Sequence, residues 1–288
     1  MKSIGISIQG IQSNADGTVE KRTREQAAQW NLGDISLKRY EPALITSCDI
    51  ASMAYSHTPT DVQVHIALYT LLAICIDDYH VSDIALGEFM DRMYSGTAQL
   101  HPLLDRFVEN LRDMRKFFSP YASKLIIKSS IDFVNNMAVD VELAGMSLRP
   151  TALAYVTSKR FYNGIGDAYA CFVWDKFAFP RVATYLQAVP DMNIFCDYVN
   201  DIFSFYKEEL AHETKNFVHD RAFVTNKDVA SALYDIVDET VVATNNVRQI
   251  LVGEKEKQTW ETFINTYLAF HLETPRYRLH EILGDEYH

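Results

Sequence analysis

Apolar residues recur along most of this chain at the three-to-four-residue spacing of a helix, and almost nowhere with the strict alternation of a half-buried strand. Residues 61–77 (DVQVHIALYTLLAICID) are nearly all apolar after the first turn. Such a run suits a buried helix or two buried strands, and its length favours the helix, with Asp61 as N-cap and Asp77-Asp78 at the C-terminal end. Thr18 to Trp30 predicts a first, exposed helix, and the polar, Gly-containing residues 1–20 predict a loose arm. Residues 101–118 place Leu104, Phe107, Val108 and Leu111 in helical register, ended by Ser119-Pro120. A further helix is predicted over 121–146, closed near Leu148-Arg149-Pro150. Residues 151–174 read as helical too, but Gly164 and Gly166 fall in the middle. Each costs about 1 kcal/mol relative to Ala in a helix interior, so a break is predicted there. Segments 180–189, 191–210, 227–251 and 257–273 complete the set, with Pro190 and Pro275 as punctuation. No repeat, low-complexity stretch or Gly/Ser linker interrupts the pattern. The expectation is an all-α protein: roughly ten helices around one core, in a single domain over 21–288.

Composition agrees. The 288 residues are 48% hydrophobic, enough for a large core, and 11 Gly with 8 Pro are too few for a turn-rich all-β fold. A net charge of -11 argues against a nucleic-acid binder and against electrostatic docking on anionic membranes. Cys48, Cys75, Cys171 and Cys196 form no CxxC pair, which predicts buried thiols in a reducing compartment. Met1 to Ala15 lacks the charged start and apolar run of a signal peptide, and no window reaches eighteen uninterrupted apolar residues. A cytoplasmic protein with no membrane span is expected.

Four constellations carry candidate chemistry. Asn200, Ser204 and Glu208 stand four residues apart, so on a helix they share one face, each about 6 Å along the axis from the last. An amide oxygen, a hydroxyl and a carboxylate in a row are hard ligands suited to Mg²⁺ and, through it, to a phosphorylated substrate. The competing reading is the polar face of a surface helix. The neighbours Phe195, Tyr198, Val199, Ile202, Phe203, Phe205 and Tyr206 count against that. Asp77-Asp78-Tyr79-His80-Val81-Ser82-Asp83 puts two carboxylates at the end of an apolar helix; alone, it reads more simply as a solvated cap. Arg276 and Arg278 around Tyr277 form either a phosphate clamp or structural ion pairs. Arg160-Phe161-Tyr162-Asn163-Gly164 sets a cation before a helix break, which is either a ligand-facing opening or an ordinary kink.

Taken together, these segments resemble the class I terpene cyclases, and within them the trichodiene synthase family of fungal sesquiterpene synthases. The aspartate motif resembles that family's first metal site, and NDIFSFYKE its second. HLETPRYRLHEI, residues 271–282, resembles its C-terminal Arg-Tyr segment, and Arg160 to Gly164 its diphosphate sensor, linker and effector. The resemblance spans residues 77 to 282 in the family's order. It implies a helical bundle around a central active-site cavity that binds three Mg²⁺ ions and a prenyl diphosphate. Asp77, Asn200, Ser204 and Glu208 would hold metal; Arg160, Lys207, Arg276 and Tyr277 would contact the diphosphate. Asp78 would face away and pair with a basic residue on closure, and Asp83 is not assigned to metal. The linker position often carries an acid and here is Asn163, which puts the orientation of Arg160 in question. The implied reaction ionises farnesyl diphosphate and cyclises the carbocation to a C15 hydrocarbon or alcohol. Tyr69, Phe133, Phe161, Trp174 and Phe270 are candidate cavity-lining aromatics, although core packing is the commoner role for any one of them. The alternatives are an isoprenyl diphosphate chain-elongating synthase, which ordinarily shows two Asp-rich motifs, and a catalytically inactive helical binding protein. A homodimer is expected.

Overall fold

A computed structural model of the chain describes residues 17–30, 32, 37–78, 81–143 and 145–283. The predicted arm up to residue 16, together with Tyr79 and His80, lies outside them. Thirteen α-helices account for most of the described residues. The first seven are α1 (Thr18–Ala27), α2 (Glu41–Met53), α3 (Thr60–Asp78), α4 (Asp83–Gly87), α5 (Phe89–Ser95), α6 (Pro102–Phe117) and α7 (Pro120–Glu142). The remainder are α8 (Leu153–Asn163), α9 (Gly166–Phe172), α10 (Val189–Leu210), α11 (Phe217–Thr225), α12 (Val229–Ile250) and α13 (Glu254–Glu273). The one extended pairing among the described residues is an isolated bridge between Phe118 and Asp175.

Two helices organise the rest. Helix α3 is apolar on every side because it is packed on every side, by α1, α2 and α6, and Val62, Ile66, Leu72 and Ile76 are fully buried. It is long and apolar enough to cross a bilayer, yet 78% of that stretch is buried inside the protein. Helix α10 packs against α9, α12 and α13. Pro190 falls in its first turn rather than before it, where a missing N–H costs nothing. The ends of α3 and α10 carry the candidate chemistry, so core packing sets the separation of the two motifs.

Several boundaries differ from the sequence pattern for identifiable reasons. Asp61 is not the N-cap: α3 starts at Thr60, and the Asp61 carboxylate pairs with Arg22 at 2.6 Å. The first helix stops at Ala27, and α7 stops at Glu142, short of Met146. Segment 180–189 forms two short 3-10 turns, Val182–Thr184 and Leu186–Ala188, leading into α10. Helices α2, α4, α5 and α11 were not legible in the apolar pattern. In α2 the inward face includes Thr46 and Ser47, whose hydroxyls bond back to the carbonyls of Pro42 (3.0 Å) and Ala43 (2.7 Å). They bury polar groups without breaking the helix. Helix α11 is bounded by its caps: the Asn216 side chain accepts from the His219 N–H at 3.0 Å, and Asn226 closes it with φ 53°. The predicted break is present. Helix α8 ends at Asn163, and Ile165, at φ 56°, turns the chain into α9. All four cysteines are free and buried, as expected, and burial pushes the Cys48 thiol up to about 12.

Asp49 on α2 shows how burial couples this bundle to pH. Desolvation, with help from Glu20 and Glu273, pushes its carboxyl up to about 6. The folded pKa exceeds the unfolded one, so this contribution is fully present below about pH 4 and is lost as pH rises through about 6. Asp49→Asn should therefore stabilise the fold above pH 6 by roughly 1–2 kcal/mol, after discounting for residual solvent, and should leave it nearly unchanged near pH 4. Urea unfolding at the two pH values measures this.

Candidate active site

A cavity of about 540 Å³ opens where the C-terminal end of α3 faces the inner side of α10, a size ordinary for small-molecule sites. The α8–α9 break, the α10–α11 loop and the 3-10 turn Pro275–Tyr277 also contribute to its lining. Asp77, Arg160, Asn200, Glu208, Arg276 and Tyr277 all line it. Six of the eight residues singled out in the sequence therefore meet in one space, although they are spread over two hundred positions of chain. The other two do not reach the lining. Ser204 lies in the row between Asn200 and Glu208 but is only 2% exposed. Lys207 points its Nζ to within 3.7 Å of Glu208 Oε1.

The polar contacts are specific. Asn200 Nδ2 donates to the Tyr277 hydroxyl at 3.2 Å, tying the second motif to the C-terminal turn. Glu208 Oε2 accepts from Asn216 Nδ2 at 3.0 Å, tying it to the cap of α11. Asp78 stays out of the cavity lining and accepts from Arg276 Nη1 at 3.3 Å, the basic partner expected for it. Asp83 begins α4 and takes no part. Arg160 Nε donates to both Asp201 oxygens, at 2.9 and 2.7 Å, and Nη2 donates to the Asp197 carbonyl at 2.8 Å.

Electrostatics follow from burial. Desolvation raises the pKa of Asp77, and the adjacent Asp78 carboxylate raises it further. Burial also raises Asp197 and Asp201, against the pull of Arg160. Burial works against the charge of Arg160 itself, but the two carboxylates outweigh it. A bound cation would relieve the desolvated carboxylate at Asp77. Asn200 and Glu208 offer oxygens to the same cavity, so the donor set fits a hard divalent ion. Among the described residues no three His, Cys, Asp or Glu side chains converge to form a metal cage; in the α10 row two of the three donors are an amide and a hydroxyl.

Aromatic rings line the same cavity. Phe133 and Phe270 line it as expected, and Tyr169, Phe217 and Tyr267 join them. Tyr69, Phe161 and Trp174 do not. Tyr69 is fully buried and bonds its hydroxyl to Ser130 at 2.8 Å. Phe161 stacks on Tyr198 in a second apolar cluster, and Trp174 stacks on Tyr185. Helical spacing alone did not separate a cavity wall from a core layer. For Tyr169 one signal was available: it follows the Gly164–Gly166 break by a single turn.

A helical bundle with an acidic helix end facing an Asn/Ser/Glu row across such a cavity is the arrangement of a class I terpene synthase. The family described as Trichodiene synthase (TRI5) matches residues 18–287. The chain is 37% identical over 275 residues to Monoterpene synthase 25 of Postia placenta, covering 94% of this chain and 82% of that protein. It is 32% identical over 280 residues to Terpene synthase 29 of the same fungus, covering 96% and 81%. Linalool/Nerolidol synthase of Streptomyces clavuligerus shares the fold, with a TM-score of 0.69 and 16% identity over 92% of this chain and 99% of that one. The chain belongs to the trichodiene synthase family of terpene synthases, enzymes that act on prenyl diphosphates and are generally metal-dependent.

The helix break leaves no space for a side chain at its centre. A Cβ at Gly164 would lie 2.0 Å from Arg160 Nη1 and 2.1 Å from Asp197 Oδ1. Both groups are pinned, and Asp197 is 2% exposed. Gly164→Ala should lower stability by about 1–3 kcal/mol through overpacking and should reduce turnover by displacing Arg160. Denaturant unfolding and steady-state kinetics check the two parts.

Proposed function

We propose that the chain is a Mg²⁺-dependent sesquiterpene cyclase that ionises farnesyl diphosphate and closes the resulting carbocation to a C15 hydrocarbon or alcohol. The observation that carries this reading is that a single cavity is lined both by the oxygen donors Asp77, Asn200 and Glu208 and by a set of aromatic rings. Asp77, Asn200 and Glu208 would hold the metal, three ions in all, and Ser204, buried in the row between the last two, would join them only if α10 shifted to bring its hydroxyl to the cavity. Bound there, Mg²⁺ supplies charge neutralisation for the departing diphosphate.

The chain's own groups do the rest. Arg160, Arg276 and Lys207 add positive charge around the cavity, where the net charge of -11 otherwise opposes an anion. The Tyr277 hydroxyl, held by Asn200, adds a hydrogen bond. Once the allylic C–O bond breaks, the cation sits among Phe133, Tyr169, Tyr267 and Phe270, whose ring faces each offer about 0.5–2 kcal/mol. The apolar walls keep out the water that would quench it.

Chain elongation fits less well, because the second motif is an Asn/Ser/Glu row rather than a second Asp-rich one. An inactive binding protein would have no use for carboxylates and cations gathered at a cavity. A C10 substrate is the second reading, favoured by the 37% identity to Monoterpene synthase 25. The reading extends to residues 1–20 as an arm and 21–288 as one catalytic domain, to a homodimer, and to the cytoplasm, where four free buried thiols stay reduced.

Purified protein with Mg²⁺ and farnesyl diphosphate should release diphosphate and a C15 product. No diphosphate from C10, C15 or C20 substrates contradicts the cyclase reading, whereas turnover of the C10 substrate alone contradicts only the chain length. Glu208→Gln should keep the fold, raise the Mg²⁺ requirement and lower turnover by on the order of 10–100-fold, by analogy with losses at metal-site partners. An unchanged Mg²⁺ titration removes Glu208 from the site.

A further inference from the structure

We propose that Asp197 and Asp201 of α10 are the positioning residues that orient Arg160 toward the diphosphate, in place of an acid at the helix break. This rests on the cyclase reading and adds to it two residues that the motif comparison did not assign.

Arg160 lies in the last turn of α8, three residues before the break. Each of its guanidinium nitrogens meets a partner on α10. Nε donates to both oxygens of Asp201, Nη2 donates to the Asp197 carbonyl, and Nη1 lies 3.4 Å from Asp197 Oδ1. The side chains are nearly out of solvent, at 11% exposure for Arg160, 2% for Asp197 and 13% for Asp201, so the pairing is not weakened by water. A guanidinium has five N–H groups, and those not taken by α10 remain for a ligand in the cavity that Arg160 lines.

Asn163 stands on the same helix, one turn from Arg160, and lines the same cavity. Its Oδ1 is buried and has no hydrogen-bond partner. A neutral amide there has no charge with which to draw the guanidinium away from two carboxylates. The backbone is shaped to bring Arg160 to α10 instead. Cβ atoms at Gly164 and Gly166 would lie 2.1 Å from Asp197 Oδ1 and 2.7 Å from Asp197 Cγ. Both glycines are thus needed for the break to seat on Asp197. Positioning of this kind matters to the chemistry because a shift of about 1 Å in a contact group can cost on the order of 100-fold in rate.

The test uses isosteric changes in the full chain. Asp201→Asn should fold, with an unchanged circular dichroism spectrum. It should lower kcat/KM for the prenyl diphosphate by roughly 10–100-fold and weaken binding of inorganic diphosphate in the presence of Mg²⁺. Adding Asn163→Asp to that variant should recover about tenfold or more, because it returns a carboxylate to the arginine from the other side. A merely structural aspartate would not be rescued in this way. Should Asp201→Asn not fold, the same pair of measurements is made in Asp197→Asn. Wild-type kcat/KM in whichever single variant folds, a loss that Asn163→Asp leaves untouched, or failure of both to fold would each overturn the proposal. A wild-type protein that releases no diphosphate would instead overturn the cyclase reading on which it rests.

Discussion

Charge held inside an apolar bundle is the constraint on which this structure depends. Arg160 cannot be buried without partners, and Asp197 and Asp201 provide them from a single face of α10. Meeting that requirement brings the α8–α9 break against α10 at a distance only glycine permits. The same contact fixes how α10 presents its next turns. Asn200 is thereby turned to Tyr277, and Glu208 to the cap of α11. Breaking a buried pair by removing one partner costs about 3–5 kcal/mol, so this local electrostatic problem is large enough to set helix placement.

The cavity inherits its two characters from its walls. The end of α3 must expose carboxylates because its apolar run stops at Asp77, and the Asp78–Arg276 pair draws the C-terminal turn over it. The rest of the lining belongs to α2, α3, α7, α9 and α13, whose Ile50, Ile74, Phe133, Met137 and Phe270 continue the apolar core into the cavity wall. A diphosphate and a hydrocarbon chain make opposite demands on solvent. One cavity meets both demands because charged groups from α3, α8, α10 and the C-terminal turn share its lining with rings from α7, α9 and α13.

Much of this was legible in the chain. The run 61–77 announced a buried helix with acids at its end, the four-residue spacing of Asn200, Ser204 and Glu208 announced a shared face, and Gly164 with Gly166 announced the break. These are local facts, and local spacing carries them. Asp197 carried no local signal, since it is three residues before the motif and matters only because Arg160 arrives from another helix. Nor could spacing tell Phe133, which reaches the cavity, from Tyr69, which packs under it. Ser204 shows the limit within the motif itself: a shared helical face does not guarantee equal reach into a cavity. Helix α2 was hidden because Thr46 and Ser47 satisfy their hydroxyls within the helix and so sit among apolar neighbours.

Where metal and diphosphate bind is decided most directly by a crystal structure grown with Mn²⁺ and inorganic diphosphate and read by anomalous scattering. The expected result is metal density between Asp77 and the Asn200–Glu208 face, with diphosphate oxygens within hydrogen-bond distance of Arg160, Arg276 and Tyr277. Metal and diphosphate bound outside this cavity, or inside it without contact to either acidic motif, would contradict it.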